Sequence, residues 1–127
     1  MEQILVDVNW TAVIVGAIAA FALGSFWYSP KMFGKKWMKG VGLTAKDANS
    51  PAHALFAQAV STFLLAWVIG VTATTNSLSL AILIALTLSV TIKANGLWAQ
   101  KSRYAIAVES SYILVMAVIM IAAHALF

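Results

Sequence analysis

Residues 9–43 read NWTAVIVGAIAAFALGSFWYSPKMFGKKWMKGVGL and contain both signals that decide the fold. The stretch begins with an apolar segment, residues 9–28, and a helix of about 20 apolar residues is long enough to cross a bilayer. An aromatic pair, a Ser-Pro step and a cluster of lysines follow directly. An apolar span that ends in aromatic and cationic residues is typical of a transmembrane helix that reaches the cytoplasmic face of a membrane.

The composition extends this interpretation to the whole chain of 127 residues. Hydrophobic residues make up 62% and charged residues 9%, whereas soluble domains average about 45–50% (glycine included) and about 25%. So few polar groups cannot cover a soluble domain, and most of the surface must therefore face lipid. The absence of cysteine excludes disulfides, thiolate nucleophiles and cysteine-based metal sites. The net charge of +4 forms no broad basic surface, so we expect no nucleic-acid partner.

Three further apolar spans follow the first one, at residues 52–72, 78–98 and 104–126. Backbone groups in lipid must form hydrogen bonds within their own segment, so each span should be a helix. Asn9 is suited to cap the first helix, and Ser50 with Pro51 reads as the N-cap and first residue of the second. The sequence therefore predicts an all-α membrane protein: residues 1–127 form a single domain, a bundle of four transmembrane helices arranged as two antiparallel hairpins.

The positive charges predict the orientation of the bundle. Lysine and arginine lie only in or beside two of the three connections, and neither the chain ends nor the turn at residues 72–77 carries one. Short cytoplasmic loops carry the positive excess. We therefore expect an inner (plasma) membrane protein with both termini outside the cytoplasm.

The first basic connection also predicts a short interfacial segment after the first helix. Three of its lysines are spaced four residues apart and would share one face of a helix, while Phe33 and Trp37 would share another. Such a segment would lie on anionic phospholipid at the cytoplasmic face. The alternative is an ordinary positive loop with an aromatic belt. The predicted lipid and interface residues are Trp27, Tyr28, Lys31, Lys35, Trp37 and Lys39.

Small residues recur every four positions along the first helix, at Ala12, Gly16, Ala20 and Gly24. This small-residue ridge lets another helix approach closely, which is how helices associate in lipid. The partner is either another helix of the same chain or a second copy of the chain in a homo-oligomer.

Polar side chains at similar depth in all four spans form a candidate ligand or ion site. Lys93 and Glu109 each lie five residues inside an aromatic residue, so they can pair, and Ser25 and Gln58 fall at a comparable depth. Ionisable groups in a bilayer are costly and often functional. The alternative is structural: Lys93 extends to the headgroups and Glu109 pairs with Lys101 or Arg103.

The motifs of the first third of the chain resemble the bacterial membrane-protein family of unknown function DUF1761. The shared elements are Asn9-Trp10, Gly24 with the Trp27–Pro30 stretch, Phe33–Lys35 with Trp37, and Gly42–Thr44. Tyr112 matches a tyrosine common in the family's last helix, whereas the preceding ESS departs from the Asn-Ala-Gly expected there. The resemblance implies a four-helix, multi-pass protein and brings no accepted activity with it.

Familiar catalytic patterns are missing from the sequence. It has no metal-spaced cluster, phosphate loop or nucleophile triad, and its two histidines lie at opposite ends of the bundle. We therefore expect no enzyme, cofactor or metal site.

The favoured hypothesis is a structural or accessory protein that binds lipid or partner helices. The alternative is a small oligomeric transporter or channel lined by Glu109 and Lys93. Small multidrug transporters have a similar size, but they place an essential glutamate in the first helix, which here has no acid.

Overall fold

A computed structural model describes residues 2–29, 31–41 and 52–127, which form six α-helices. These are α1 (Glu2–Leu5), α2 (Trp10–Trp27), α3 (Gly34–Gly40), α4 (Ala52–Thr74), α5 (Leu78–Trp98) and α6 (Arg103–Leu126). The four long helices, α2, α4, α5 and α6, are each long and apolar enough to cross a membrane. They confirm the predicted all-α class and its four spans. The short helix α3 coincides with the predicted segment after the first span.

Local side-chain chemistry explains where the long helices begin. The side chain of Asn9 accepts a hydrogen bond from the backbone N–H of Ala12 at 3.1 Å, so Asn9 is the predicted N-cap of α2. Ser102 caps α6 in the same way through the N–H of Ala105. Such caps satisfy N–H groups that have no partner inside the helix. The predicted cap of α4 by Ser50 and Pro51 lies outside the described residues.

The long helices pack as two hairpins that meet along α2 and α6. Helix α2 packs on α4 and α5 packs on α6, while α4 and α5 touch less extensively although they are consecutive. Helix α6 contacts α2, α3, α4 and α5 and is the central element. Its buried residues run along its whole length: Ala105, Ile106, Val108, Tyr112, Ile113, Met116, Ala117, Met120 and Ala123.

The small-residue ridge of α2 packs against α6 of the same chain. Ala12 and Ala20 are fully buried. A Cβ atom added at Gly16 would lie 3.3 Å from the Cα atom of Met120, and one added at Gly24 would overlap the hydroxyl of Tyr112. Because Gly16 and Gly24 have no side chain, the backbones of α2 and α6 can approach each other closely. Of the two predicted partners for the ridge, a helix of the same chain is the one that occupies it.

Packing differs between the two ends of the bundle. The end remote from the basic connections is filled by large buried side chains, among them Val13, Ile69, Met116 and Met120. Towards the basic connections, residues 52–61 of α4 are exposed except for Gln58, which is half-buried. The first turns of α4 thus stand away from the last turns of α5, and a cavity lies between them.

Candidate functional site

The cavity has a volume of about 650 Å³ and lies at the basic end of the bundle. All four long helices and α3 contribute to its wall. The apolar residues of its wall include Phe21, Leu55, Ile92 and Ile113. The polar residues of its wall are Ser25, Tyr28, Trp37, Gln58, Asn95, Lys101, Glu109 and Tyr112. Ligand sites commonly occupy about 300–1,000 Å³ and combine apolar walls with a few placed polar groups, and this cavity has both properties.

Glu109 is the acidic residue in the described wall of the cavity, and it contacts two other polar wall residues. Its Oε2 atom accepts a hydrogen bond of 2.8 Å from the indole N–H of Trp37 on α3. Both carboxylate oxygens lie 3.1 Å from Nζ of Lys101, which is in the turn between α5 and α6. The Glu109 side chain is 14% exposed and that of Lys101 is 33% exposed. The carboxylate is therefore held inside the protein, whereas its cationic partner reaches the surface.

The predicted pairing of Lys93 with Glu109 is wrong, because Lys101 takes that place. Lys93 is exposed and lines a separate groove of about 430 Å³ on the outer side of α5 and α6, together with Arg103 and Ser110. Its neighbour Ile92 faces the cavity. Successive residues of a helix point about 100° apart, so Lys93 has the right depth but the wrong direction. The alternative pairing of Glu109 with Lys101 is the observed one.

Two other members of the predicted polar layer do reach the cavity. Ser25 and Gln58 line it together with Glu109. The side-chain amide of Gln58 donates a hydrogen bond of 3.0 Å to the hydroxyl of Thr62, one turn further along α4. Three of the four predicted residues thus share one site, and Lys93 does not.

The rings that were predicted at the lipid interface are turned inward. Trp27 donates its indole N–H to the carbonyl oxygen of Val108 on α6 at 3.1 Å. The ring centroids of Tyr28 and Trp37 lie 4.9 Å apart in an edge-to-face arrangement, and those of Tyr28 and Tyr112 lie 5.5 Å apart. An indole or phenol group at the edge of a bundle can satisfy its polar atom on a neighbouring helix as well as in the headgroup zone. These rings therefore pack α2 and α3 onto α6.

The lysines of the same segment point away from the bundle. Lys31, Lys35 and Lys39 are all exposed. Trp37 and Gly34, by contrast, are half-buried and buried, so α3 has a cationic outer face and an inner face that contacts α6. The segment is therefore amphipathic, with its apolar side against protein.

Tyr28 follows the last residue of α2 and forms part of the cavity wall. Burial, followed by the charges of Glu109 and Tyr112, raises the pKa of Tyr28 above its usual value. Tyr28 contributes a phenol ring to the cavity wall.

Tyr112 is one of the cavity residues that the polar-layer prediction missed. Its hydroxyl donates a hydrogen bond of 2.7 Å to the carbonyl oxygen of Ala20, and its ring is 3% exposed. Tyr112 lies three residues after Glu109, a spacing that places both on one face of a helix. This spacing is the feature of the sequence that could have placed Tyr112 beside Glu109.

Within the described ranges no group of three or more His, Asp or Glu side chains is arranged to hold a metal ion.

Four apolar helices of membrane-spanning length define this chain as a multi-pass membrane protein. The chain belongs to the family described as "Protein of unknown function (DUF1761)", whose family model matches residues 11–124. No curated protein and no solved structure matches the chain.

Proposed function

We propose that this protein is a non-enzymatic membrane protein that binds a lipid-like amphiphile in the cavity at its basic end. The observation that carries the proposal is that one cavity is lined both by apolar side chains and by the Glu109–Lys101 ion pair. An amphiphile matches such a site because its chain can contact the apolar residues while its headgroup meets the ion pair. The exposed first turns of α4 leave an approach from the surrounding lipid.

The alternative function is a small oligomeric transporter or channel that uses the same polar layer. A transport path must reach both faces of the membrane. The described polar groups of the cavity belong to its basic end, and the other half is filled by Val13, Ile69, Met116 and Met120. Closely packed apolar side chains of this kind exclude water. This packing supports binding over transport.

The proposed setting is the inner (plasma) membrane, with both chain ends outside the cytoplasm and the cavity near the cytoplasmic face. The support is that every lysine and arginine lies in or beside two of the connections, at one end of the bundle. The exposed Lys31, Lys35 and Lys39 would then lie against anionic phospholipid. Each lysine near an anionic membrane surface contributes about 1 kcal/mol to the binding free energy. A homo-oligomer would have to use a surface other than the ridge that α6 covers.

Blocking the cavity tests the binding proposal. Ala54 is exposed and lines the cavity, so Ala54→Trp should fill part of it without disturbing the core. Ala57 is exposed on the same helix and is not among the cavity residues, so Ala57→Trp is the matched control. Each protein is titrated with dodecyl maltoside in a glycol-ether detergent, and bound molecules are counted by native mass spectrometry.

We expect the wild type and Ala57→Trp to take up one dodecyl maltoside molecule saturably, and Ala54→Trp to bind it at least about tenfold more weakly. Equal binding by all three proteins would place the bound molecule outside the cavity. An absence of saturable binding in the wild type would refute the proposal.

A further inference from the structure

We infer that the headgroup recognised by this cavity is an organic ammonium group, which contacts Glu109 and the neighbouring aromatic rings in place of Lys101. This inference rests on the proposed binding of an amphiphile and specifies its chemical class. It follows from the charge inside the cavity, from the rings around that charge and from the position of the resident lysine.

The two charged side chains in the described wall of the cavity have opposite signs, and the more deeply buried one is negative. Among the described residues that line it, Glu109 is the one acidic side chain and Lys101 the one basic side chain. Glu109 lies on the central helix α6, is 14% exposed, and is held by the 2.8 Å hydrogen bond from Trp37. An anionic headgroup that took the place of Lys101 would be repelled by the carboxylate, and an uncharged headgroup would leave the ion pair unchanged. A cationic headgroup is the class that the fixed charge attracts.

The rings around the carboxylate favour an alkylated ammonium group. Tyr28, Trp37 and Tyr112 line the same cavity as Glu109. Tyr28 stands edge-to-face with both of the other rings, at centroid distances of 4.9 Å and 5.5 Å, so the three form one continuous cluster. The face of an aromatic ring attracts a cation, most strongly where water is excluded, and aromatic cages bind quaternary ammonium groups in this way.

Lys101 is placed to exchange with such a ligand. It lies in the turn that follows α5, and its side chain is 33% exposed, more than twice as much as that of Glu109. A lysine ammonium is strongly hydrated and sits on a flexible stem, so it can turn to water when another cation takes its place. The hydrogen bond from Trp37 would keep the carboxylate in position during the exchange. Lys101 thus acts as a resident counter-ion that competes with the ligand.

Three probes with the same chain test the headgroup. Dodecyltrimethylammonium, dodecyl maltoside and dodecanoate are titrated separately into the full-length protein, and saturable binding is counted by native mass spectrometry. We expect dodecyltrimethylammonium to bind about tenfold more tightly than dodecyl maltoside, and dodecanoate to bind most weakly. Glu109→Gln should abolish this preference for the ammonium probe while the maltoside still binds.

Lys101→Gln provides an independent variant, because it leaves Glu109 and its bond from Trp37 in place. Removing the competitor should raise the affinity for dodecyltrimethylammonium severalfold and leave that for dodecyl maltoside unchanged. Lys93→Gln is the matched control: it removes one positive charge from the same end of the bundle but outside the cavity, and it should preserve the order of the three probes.

The outcomes separate this inference from the proposed function. Saturable binding of all three probes with equal affinity, a preference for dodecanoate, or weaker ammonium binding by Lys101→Gln would overturn the ammonium assignment alone. If none of the probes binds saturably, the proposed function fails together with it.

Discussion

Replacing Gly24 by alanine is expected to destabilise the protein by about 1–3 kcal/mol, and much of this effect should disappear when Tyr112 is replaced by phenylalanine. The two residues meet where α2 and α6 come closest. A Cβ atom at position 24 would overlap the Tyr112 hydroxyl oxygen and would lie 3.0 Å from the ring atom Cζ. The tyrosine cannot easily retreat, because it is 3% exposed and its hydroxyl donates to the Ala20 carbonyl at 2.7 Å.

The expected magnitudes follow from these contacts. Tyr112→Phe alone removes one hydrogen bond between helices, which in membrane proteins averages about 0.6 kcal/mol. It also removes the atom that the new methyl group would overlap most. Alanine at position 24 should therefore be at least about 1 kcal/mol less destabilising in the phenylalanine background, a coupling within the range measured for residues in contact.

The assay is unfolding by sodium dodecyl sulfate in mixed micelles, followed by the fluorescence of the five tryptophans. The wild type, both single variants and the double variant form a double-mutant cycle. Gly16→Ala is the control, because a Cβ atom there would meet Met120 and Ala123 and not Tyr112; its effect should simply add to that of Tyr112→Phe. Additive effects for Gly24→Ala as well would show that the Gly24–Tyr112 contact does not govern the packing of α2 on α6.

Two further predictions concern α3 and the topology. Trp37→Phe keeps a ring but removes the donor to Glu109, and a hydrogen bond to a charged group contributes about 1.5–3 kcal/mol. We expect trypsin to cut α3 at least about tenfold faster in this variant, and Trp98→Phe, at a side chain that is 88% exposed, to leave the rate unchanged; equal rates in both variants would contradict the anchoring of α3 by Trp37. Because the chain has no cysteine, single cysteines at Thr75 and Lys35 report topology directly. A membrane-impermeant maleimide added to intact cells should label the first and not the second, and the reverse pattern would invert the proposed orientation.

The sequence alone was sufficient to predict the four long apolar helices and their approximate ends, but not the short helix α1. Hydrocarbon requires each spanning segment to be long enough and to satisfy its own backbone groups, so length and hydropathy determine the four spans. Local capping chemistry works at the same level, as Asn9 illustrates at the start of α2. The depth of Glu109, Gln58 and Ser25 could also be read from their positions, because each residue advances a helix by about 1.5 Å.

Only the tertiary structure decided which way each side chain points. A soluble helix reveals its inner face by an apolar stripe, but a membrane helix is apolar on every side because lipid replaces water around it. Depth therefore predicted Lys93 as a partner of Glu109, with Lys101 or Arg103 as the alternative, and the packing of α5 on α6 selected Lys101. The packing of α3 on α6 turned Trp37 from the lipid towards Glu109. The cavity exists because helices that are distant in sequence bring these side chains together. The hydropathy of each segment does not predict which faces of the helices meet.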